Sequence, residues 1–233
     1  MENNFALEVS YLNSHKVTIA CVFKTGIWHN AKKVIEYSAA QVGWLRDMVA
    51  ARVTVPHRFV CLSDDPAVPC ERIPLIHGWP GWWSKMELYR PELFDGPVFY
   101  IDLDTVVTAN IDDMLAPGKP FVALLNLTRK KGIGSGVLAW EGDYSFLYHK
   151  FCTAPEKLMA EYSVSGSRWG DQGFLQENLP EVSYWQDLFP GAVQSFKFDL
   201  EQKDPTPEMR IVCFHGLPKP WQVERPWIPR LVA

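Results

Sequence analysis

Two aspartates, Asp102 and Asp104, stand one residue apart at the end of an apolar run, in PVFYIDLDTVVT from Pro97 to Thr108. In extended chain a spacing of two puts both carboxylates on the same side. Such neighbours repel, so near neutral pH one takes up a proton unless a cation or a set of donors holds both ionised. An all-oxygen site of two carboxylates suits Mn²⁺ or Mg²⁺, which leave coordination positions to water and substrate phosphates. The alternative is a turn-capping role, since a bare D-x-D is short and Asp is common in turns. The apolar residues on both sides favour the metal.

Three other clusters have chemistry to offer. Lys24, Thr25 and Gly26 close the run VTIACVF, and a polar strand exit with a glycine is a common place for a nucleotide. Trp79, Trp82 and Trp83 are either core or a flat stacking surface for a sugar or base. Arg129, Lys130 and Lys131, beside a glycine-rich stretch from Gly132 to Gly136, would guide an anionic partner with Arg225 and Arg230, or are simply solvated.

These residues need a scaffold. Val17 to Phe23, His57 to Ser63 and Val98 to Ile101 read as buried strands of an α/β sheet. A helix of about five turns is expected after Asn30 as its cap, with Val34, Tyr37, Ser38, Val42, Leu45, Met48 and Val49 recurring at three- and four-residue intervals. Strand, helix, strand in this order implies a parallel crossover, and in such sheets ligands bind at the carboxyl ends of the strands. Further strands are expected at Ile73 to Ile76, Phe121 to Leu125 and Val137 to Trp140, the last after a glycine loop. Helices are expected from Ser84 as cap through Tyr89, from Tyr144 to Tyr162 with a break at Pro155, and from Gly170 to Leu179. The apolar runs Val182 to Trp185, Val193 to Phe198 and Arg210 to Phe214 look like a smaller second β layer. The expected fold is therefore a single α/β domain: a mixed, mostly parallel sheet flanked by helices, with a nucleotide-binding half over 17–108, a second half over 109–221 and an extended tail over 222–233.

The chain has 233 residues, of which 47% are hydrophobic and 21% charged. That is enough for one full core. A formal net charge of −4 speaks against a broad nucleic-acid footprint. Five cysteines without a C-x-x-C pair and no signal peptide point to reduced thiols in a cytoplasm. No apolar run approaches the roughly 18 residues needed to span a bilayer, so no integral membrane contact is expected.

Several segments together resemble one family. YIDLDTVVTANIDDML (Tyr100 to Leu115) is similar to the D-x-D core of retaining family 8 glycosyltransferases, of the glycogenin and bacterial galactosyltransferase type. SKMELYR (Ser84 to Arg90), GSGVLAW (Gly134 to Trp140), GDQGFL (Gly170 to Leu175) and FHGLPKPW (Phe214 to Trp221) follow in the family's chain order. Five ordered motifs are far more specific than one. Two positions depart from the pattern. Gly134 stands where the family has Asn, and His215 lies two residues nearer Lys219 than the family's histidine lies to its lysine.

The resemblance implies a GT-A, Rossmann-like fold, with 109–221 as the acceptor- and sugar-binding half, and transfer of a hexose, glucose or galactose, from a UDP-sugar to an acceptor hydroxyl with retention. It implies Mn²⁺, with Mg²⁺ as the alternative, on Asp102, Asp104 and His215. Lys219 would meet the β-phosphate. Asp171 would hold sugar hydroxyls, with Gln172 near the anomeric face, and Lys85 would bridge the donor sugar and the first aspartate. Gly134, Ser135 and Gly136 would line the sugar pocket, with Leu103 and Gly216 also on the donor. Uridine would lie at Phe23, Lys24, Thr25 and Asp64. The residues leave both same-face displacement and double displacement through Asp171 open, and the acceptor unspecified among glycan, protein, small molecule and modified base. A sugar-1-phosphate nucleotidyltransferase and a non-catalytic sugar- or nucleic-acid-binding module are the competing readings.

Overall fold

The computed structural model describes residues 17–30, 33–163, 168–200 and 203–231. The apolar run that begins there forms β1 (Val17–Phe23), followed by the short antiparallel pair β2 (Ile27–Asn30) and β3 (Lys33–Glu36). Asn30 therefore ends a strand and caps no helix. Isoleucine, valine and tryptophan favour strand over helix here. The helix waits for Ser38 and Gln41, which form a capping box. The Ala40 amide donates to Ser38 Oγ at 3.3 Å and the Ser38 amide to Gln41 Oε1 at 2.7 Å. Helix α1 (Ala39–Arg52) then carries Val42, Leu45, Met48 and Val49 on its buried face, as the 3.6-residue spacing predicts.

Strand β4 (His57–Ser63) returns parallel to β1, and β5 (Glu71–Pro74) sits two residues earlier than expected. A 3₁₀ helix spans Gly81–Tyr89, with the Ser84 hydroxyl inside it, donating to the Gly81 carbonyl at 2.5 Å. Ser84 is thus no cap, because Pro80 and the left-handed Gly81 (φ 55°) start the element earlier. Glycine takes that conformation without a steric penalty. The central strand is β6 (Val98–Ile101), followed after the two aspartates by β7 (Thr105–Val107). Then come β8 (Phe121–Leu125), β9 (Ile133–Trp140), α2 (Ser145–Cys152) and α3 (Pro155–Glu161). Pro155 at the start of α3 makes the expected break. α4 (Gly170–Asn178), β10 (Ser183–Tyr184), α5 (Trp185–Leu188), β11 (Val193–Ser195) and β12 (Ile211–Cys213) complete the regular elements, with one π-helical turn at Phe196–Leu200.

The main sheet runs β10-β8-β9-β6-β1-β4-β5. β1 is parallel to β4 and β6, β4 to β5 and β10 to β8, while β9 is antiparallel to both its neighbours. The carboxyl ends of β1, β4 and β6 and the start of β9 consequently share one edge. A second sheet of β11-β12-β7 follows the expected small layer, with one change: Ser183 and Tyr184 join the main sheet, and β7, directly after the aspartates, takes their place.

Alternation along the strands builds a core on each face. Ile19, Phe99 and Ile101 pack with α1 and the second sheet, while Ala20, Val60 and Tyr100 pack with the 3₁₀ helix, α2 and α4. Trp79 and Trp83 belong to that second core. Trp79 stacks on His77 at 4.0 Å, Trp83 stacks on Phe151 at 5.2 Å, and of the three neighbouring tryptophans Trp82 alone is exposed. A three-ring stacking platform is thereby excluded. A short 3₁₀ turn at Pro220–Gln222 leads into the tail, which is held by the Trp44 indole donating to the Pro229 carbonyl at 2.9 Å. All five cysteines carry free thiols. Among the described residues no helix is long and apolar enough to cross a membrane.

Candidate active site

The site forms where β6 ends. The Asp102 amide still donates to the Gly136 carbonyl of β9 at 2.8 Å, so the first aspartate is set by the sheet itself. The second is set by the smaller sheet: the Phe214 amide, just past β12, donates to the Asp104 carbonyl at 3.1 Å. Leu103 between them turns its side chain into the core and leaves only backbone for a ligand.

Each carboxylate has its own lysine. Lys85 Nζ lies 2.8 Å from Asp102 Oδ1 and 3.6 Å from Asp171 Oδ2, and donates to the carbonyl and hydroxyl of Ser135, each at 3.4 Å. Burial pulls the Lys85 ammonium down, but Asp102, Asp171 and Asp104 outweigh it and hold it above the ordinary lysine value, since nearby opposite charge favours the charged form. Lys219, 3% exposed, pairs with Asp104 Oδ2 and reaches the Phe214 carbonyl at 3.5 Å. Burial, with Asp104 beside it, holds the Asp102 carboxyl above the usual range against the pull of Lys85.

Two tyrosines outside the predicted set complete these contacts. Tyr100 donates to Asp102 Oδ1 at 2.5 Å and Tyr37 to Asp104 Oδ2 at 3.1 Å. Period-two alternation places Tyr100 on the Asp102 side and could have identified it, whereas nothing local in the sequence marks Tyr37. All these bonds fall on Asp102 Oδ1 and Asp104 Oδ2. Asp102 Oδ2 and Asp104 Oδ1 accept none among the described residues. Opposite Asp102 Oδ2 is Gly136, where an added Cβ would stand 3.2 Å from that oxygen.

This spacing also explains the glycines. The expected loop is strand: β9 already begins at Ile133, and a Cβ at Gly134 would come within 3.1 Å of Leu124 Cβ. Gly134 and Gly136 are there for room, beside Asn126 and Asp102. Ser135 between them faces the site and donates to Asp171 Oδ2 at 2.6 Å, joining β9 to the start of α4. Gln172 accepts from Asn126 Nδ2 at 2.8 Å.

At the ends of β1 and β4, Lys24 pairs with Asp64 Oδ2 at 2.5 Å while the Thr25 amide and hydroxyl donate to Asp64 at 2.8 and 2.7 Å. Burial alone would raise the Asp64 carboxyl, but these donors hold it below the usual range, because hydrogen bonds to the ionised form favour it. Phe23 is core.

His215 is turned to another partner. Its Nε2 is 2.6 Å from Ser195 Oγ, and its ring stacks on Phe198 at 5.4 Å. Burial, then Lys197 and Lys219, hold its pKa below the ordinary histidine value, with Asp104 opposing. Two residues upstream, where the family spacing would place its histidine, stands Cys213, whose thiol burial and both aspartates push up and keep protonated. Lys197 went unrecognised in the sequence. It points at Gly216 (φ 73°), where a Cβ would lie 3.1 Å from its Nζ, and no carboxylate lies within ion-pair distance among the described residues.

Among the described residues no three of His, Cys, Asp or Glu converge as a ready-made metal cage. The residues fit a hard cation in a more open form. The free oxygens Asp102 Oδ2 and Asp104 Oδ1, with a cradle at Gly136 that a side chain would fill, offer two carboxylate donors and leave the other positions to phosphate and water.

No known family profile matches the chain, and neither does any curated protein. Solved structures do. The glycosyltransferase GlyE of Streptococcus pneumoniae TIGR4 aligns at 14% identity with a TM-score of 0.58, over 89% of this chain and 56% of that one. Its apo form aligns at 0.60, over 88% and 56%. The galactosyltransferase LgtC, in complex with donor and acceptor sugar analogues, aligns at 13% identity with a TM-score of 0.58, over 88% and 89%. The chain thus spans little more than half of GlyE and most of LgtC. Its fold is that of these GT-A glycosyltransferases.

Proposed function

We propose that this glycosyltransferase fold carries an active site which moves a hexose from a UDP-sugar to an acceptor hydroxyl, with a divalent cation, Mn²⁺ or Mg²⁺, and with retention. The observation that carries the reading is Lys85, whose single ammonium ties Asp102 at the end of β6 to Asp171 at the start of α4 through Ser135. That contact brings the acid pair and the DQ helix start within one side chain's reach of each other, where phosphate and sugar recognition have to meet.

In this reading, uridine lies along the ends of β1 and β4, over Lys24, Thr25 and Asp64. A divalent cation held by Asp102 and Asp104 would supply Lewis-acid neutralisation of the diphosphate. Lys219, beside Asp104, turns to the β-phosphate and stabilises charge that develops as UDP departs. Lys197 and the backbone at Gly216 bind the same group from the other side. Asp171, held in place by Ser135 and Lys85, orients donor hydroxyls, and Gln172 is held near the anomeric carbon by Asn126.

The test is UDP release by the purified protein from a panel of nucleotide sugars, with Mn²⁺, with Mg²⁺ and with chelator. Cation-dependent hydrolysis of one UDP-sugar supports the reading and identifies the donor. Pyrophosphate release from a nucleoside triphosphate would instead establish a nucleotidyltransferase, and sugar binding without turnover or cation a binding module.

A further inference from the structure

One cation next to this site has no counter-charge. Arg129 is half-buried, its Nε is buried without a hydrogen-bond partner, and no carboxylate lies within ion-pair distance among the described residues. Burial alone pulls its guanidinium below the ordinary value, with no neighbouring acid to offset it. The buried Nε has lost water without gaining an acceptor, which is unfavourable unless a ligand supplies one.

The loop that carries Arg129 is not a loose surface segment. Asn126 Oδ1 accepts from the Thr128 amide at 3.1 Å and the Arg129 amide at 2.9 Å, and its carbonyl accepts from the Lys130 amide at 2.8 Å. The Asn126 side-chain amide donates to Gln172, and the Ile133 amide donates to Gln176 Oε1 at 2.8 Å, so α4 holds both ends of the loop. This places the Arg129 guanidinium 4.8 Å over the indole of Trp169, which precedes Gly170 and Asp171. Trp169 is 40% exposed, and so is Trp82, whose Nε1 would stand 2.7 Å from a Cβ at the left-handed Gly170. Two indoles and an unneutralised guanidinium thus surround the first turn of α4, outside the donor contacts of Asp171 and Ser135.

We propose that Arg129 and Trp169 form an acceptor subsite for a sugar that bears a negative charge, a carboxylate or a phosphate. The planar fork of arginine matches either anion with paired hydrogen bonds, and the exposed ring surface takes the apolar face of a pyranose. Exposed Lys130 and Lys131 raise the local positive potential and bring such an acceptor in. The assignment of this subsite to the acceptor rests on the hexosyl-transfer reading above.

The experiment uses the full chain with UDP and Mg²⁺, and measures affinity for methyl β-glucoside, methyl β-glucuronide and glucose 6-phosphate by calorimetry, with UDP affinity measured in parallel. An anionic probe should bind at least about ten-fold more tightly than the neutral glucoside, with the preference shrinking as salt rises. Whichever of the two anions leads identifies the source of the charge. Arg129→Gln should abolish the preference while leaving UDP and glucoside affinity in place, and Trp169→Ala should weaken all three sugars. Circular dichroism on both variants checks that the fold persists. Equal binding of the three sugars, or a preference that survives Arg129→Gln, would overturn the subsite. Failure of UDP to bind while the Arg129-dependent preference persists would overturn the donor reading and leave the anion subsite standing.

Discussion

The ammonium of Lys219 pairs with the carboxylate of Asp104 across 115 residues of chain, inside a nearly closed setting. This contact ties the loop after β12 to the exit of the central strand. Breaking one partner of a buried ion pair leaves the other charged and desolvated, at a cost of about 3–5 kcal/mol. Lys219→Met should therefore lower stability by that amount in urea denaturation, since Asp104 would remain beside Asp102. The double variant Lys219→Met with Asp104→Asn should recover most of the loss. A Lys219→Met protein as stable as wild type would show that the pair contributes nothing to the fold.

Lys85 serves three carboxylates at once, and its replacement should act on chemistry more than on nucleotide affinity. In Lys85→Met the donor hydroxyls lose the group that fixes Asp171 relative to Asp102. Loss of one preorganised cation or donor at a reacting centre costs on the order of 100-fold in turnover. Steady-state UDP release should fall by that factor while UDP binding changes several-fold less. A variant that loses both in proportion would place Lys85 on the phosphates instead of the sugar.

Much of this arrangement is visible in the chain, for physical reasons that differ by element. The buried strands β1, β4, β6 and β8 announce themselves because strands covered on both faces of the sheet are apolar on both. Asp102 and Asp104 stand out because they follow such a strand, and Asp171 because it lies in the first turn of a helix after a glycine, whereas Lys85 sits in mid-element and is marked only by its place in the motif order. The stretch from Ile27 to Glu36 misleads because a valine at helical spacing from Tyr37 belongs to a hairpin, and the capping box at Ser38 competes only when read as Ser-x-x-Gln. The glycines at 134 and 136 suggest a loop, whereas their reason is steric and appears only once Leu124 and Asp102 are across from them. Tyr37, Ser195 and Lys197 reach the site through tertiary contacts alone, and no spacing rule connects them to the D-x-D.

Lys197 is the clearest of these. Its ammonium faces Gly216 without an acid partner among the described residues and lies close enough to His215 to depress its pKa along with Lys219. In the hexosyl-transfer reading, Lys197 supplies this turn with a cation for the diphosphate in addition to Lys219, which is already paired with Asp104. Lys197→Gln should weaken UDP binding about ten-fold, the scale of one charge-assisted hydrogen bond, and leave uridine affinity unaltered. An equal loss for uridine would mean that the turn itself had been disturbed.

Gly136 offers a test of the cation that leaves every charged group in place. A methyl at this position would press on Asp102 Oδ2 at 3.2 Å, the oxygen that accepts no other bond among the described residues. Gly136→Ala should reduce the gain in UDP affinity on adding Mn²⁺ or Mg²⁺ without altering cation-free binding. Asp104→Asn should abolish that gain. If chelator has no effect on UDP affinity in the wild type, the carboxylate pair serves the lysines alone and the cation is excluded from donor binding.

Asp112 makes a prediction about the scaffold, with a definite sign in pH. Its carboxylate accepts from the Thr54 amide at 2.9 Å, the Thr54 hydroxyl and Asn110 Nδ2 at 2.8 Å, joining the end of α1 to the turn beyond β7. Burial would raise its pKa, but these donors outweigh burial and lower it. A carboxylate whose folded pKa lies below its unfolded value of about 3.9 stabilises the fold above that pH, and the contribution disappears as pH falls through the folded value. Asp112→Asn should thus cost about 1–3 kcal/mol at pH 7, the range for an unsatisfied buried hydrogen-bonding group. In urea titrations repeated downward from pH 7, the gap between variant and wild type should hold to about pH 4 and then close. A gap independent of pH would assign the loss to packing, because only the ionised form of Asp112 can satisfy these donors, the Val55 amide at 3.5 Å included, at once.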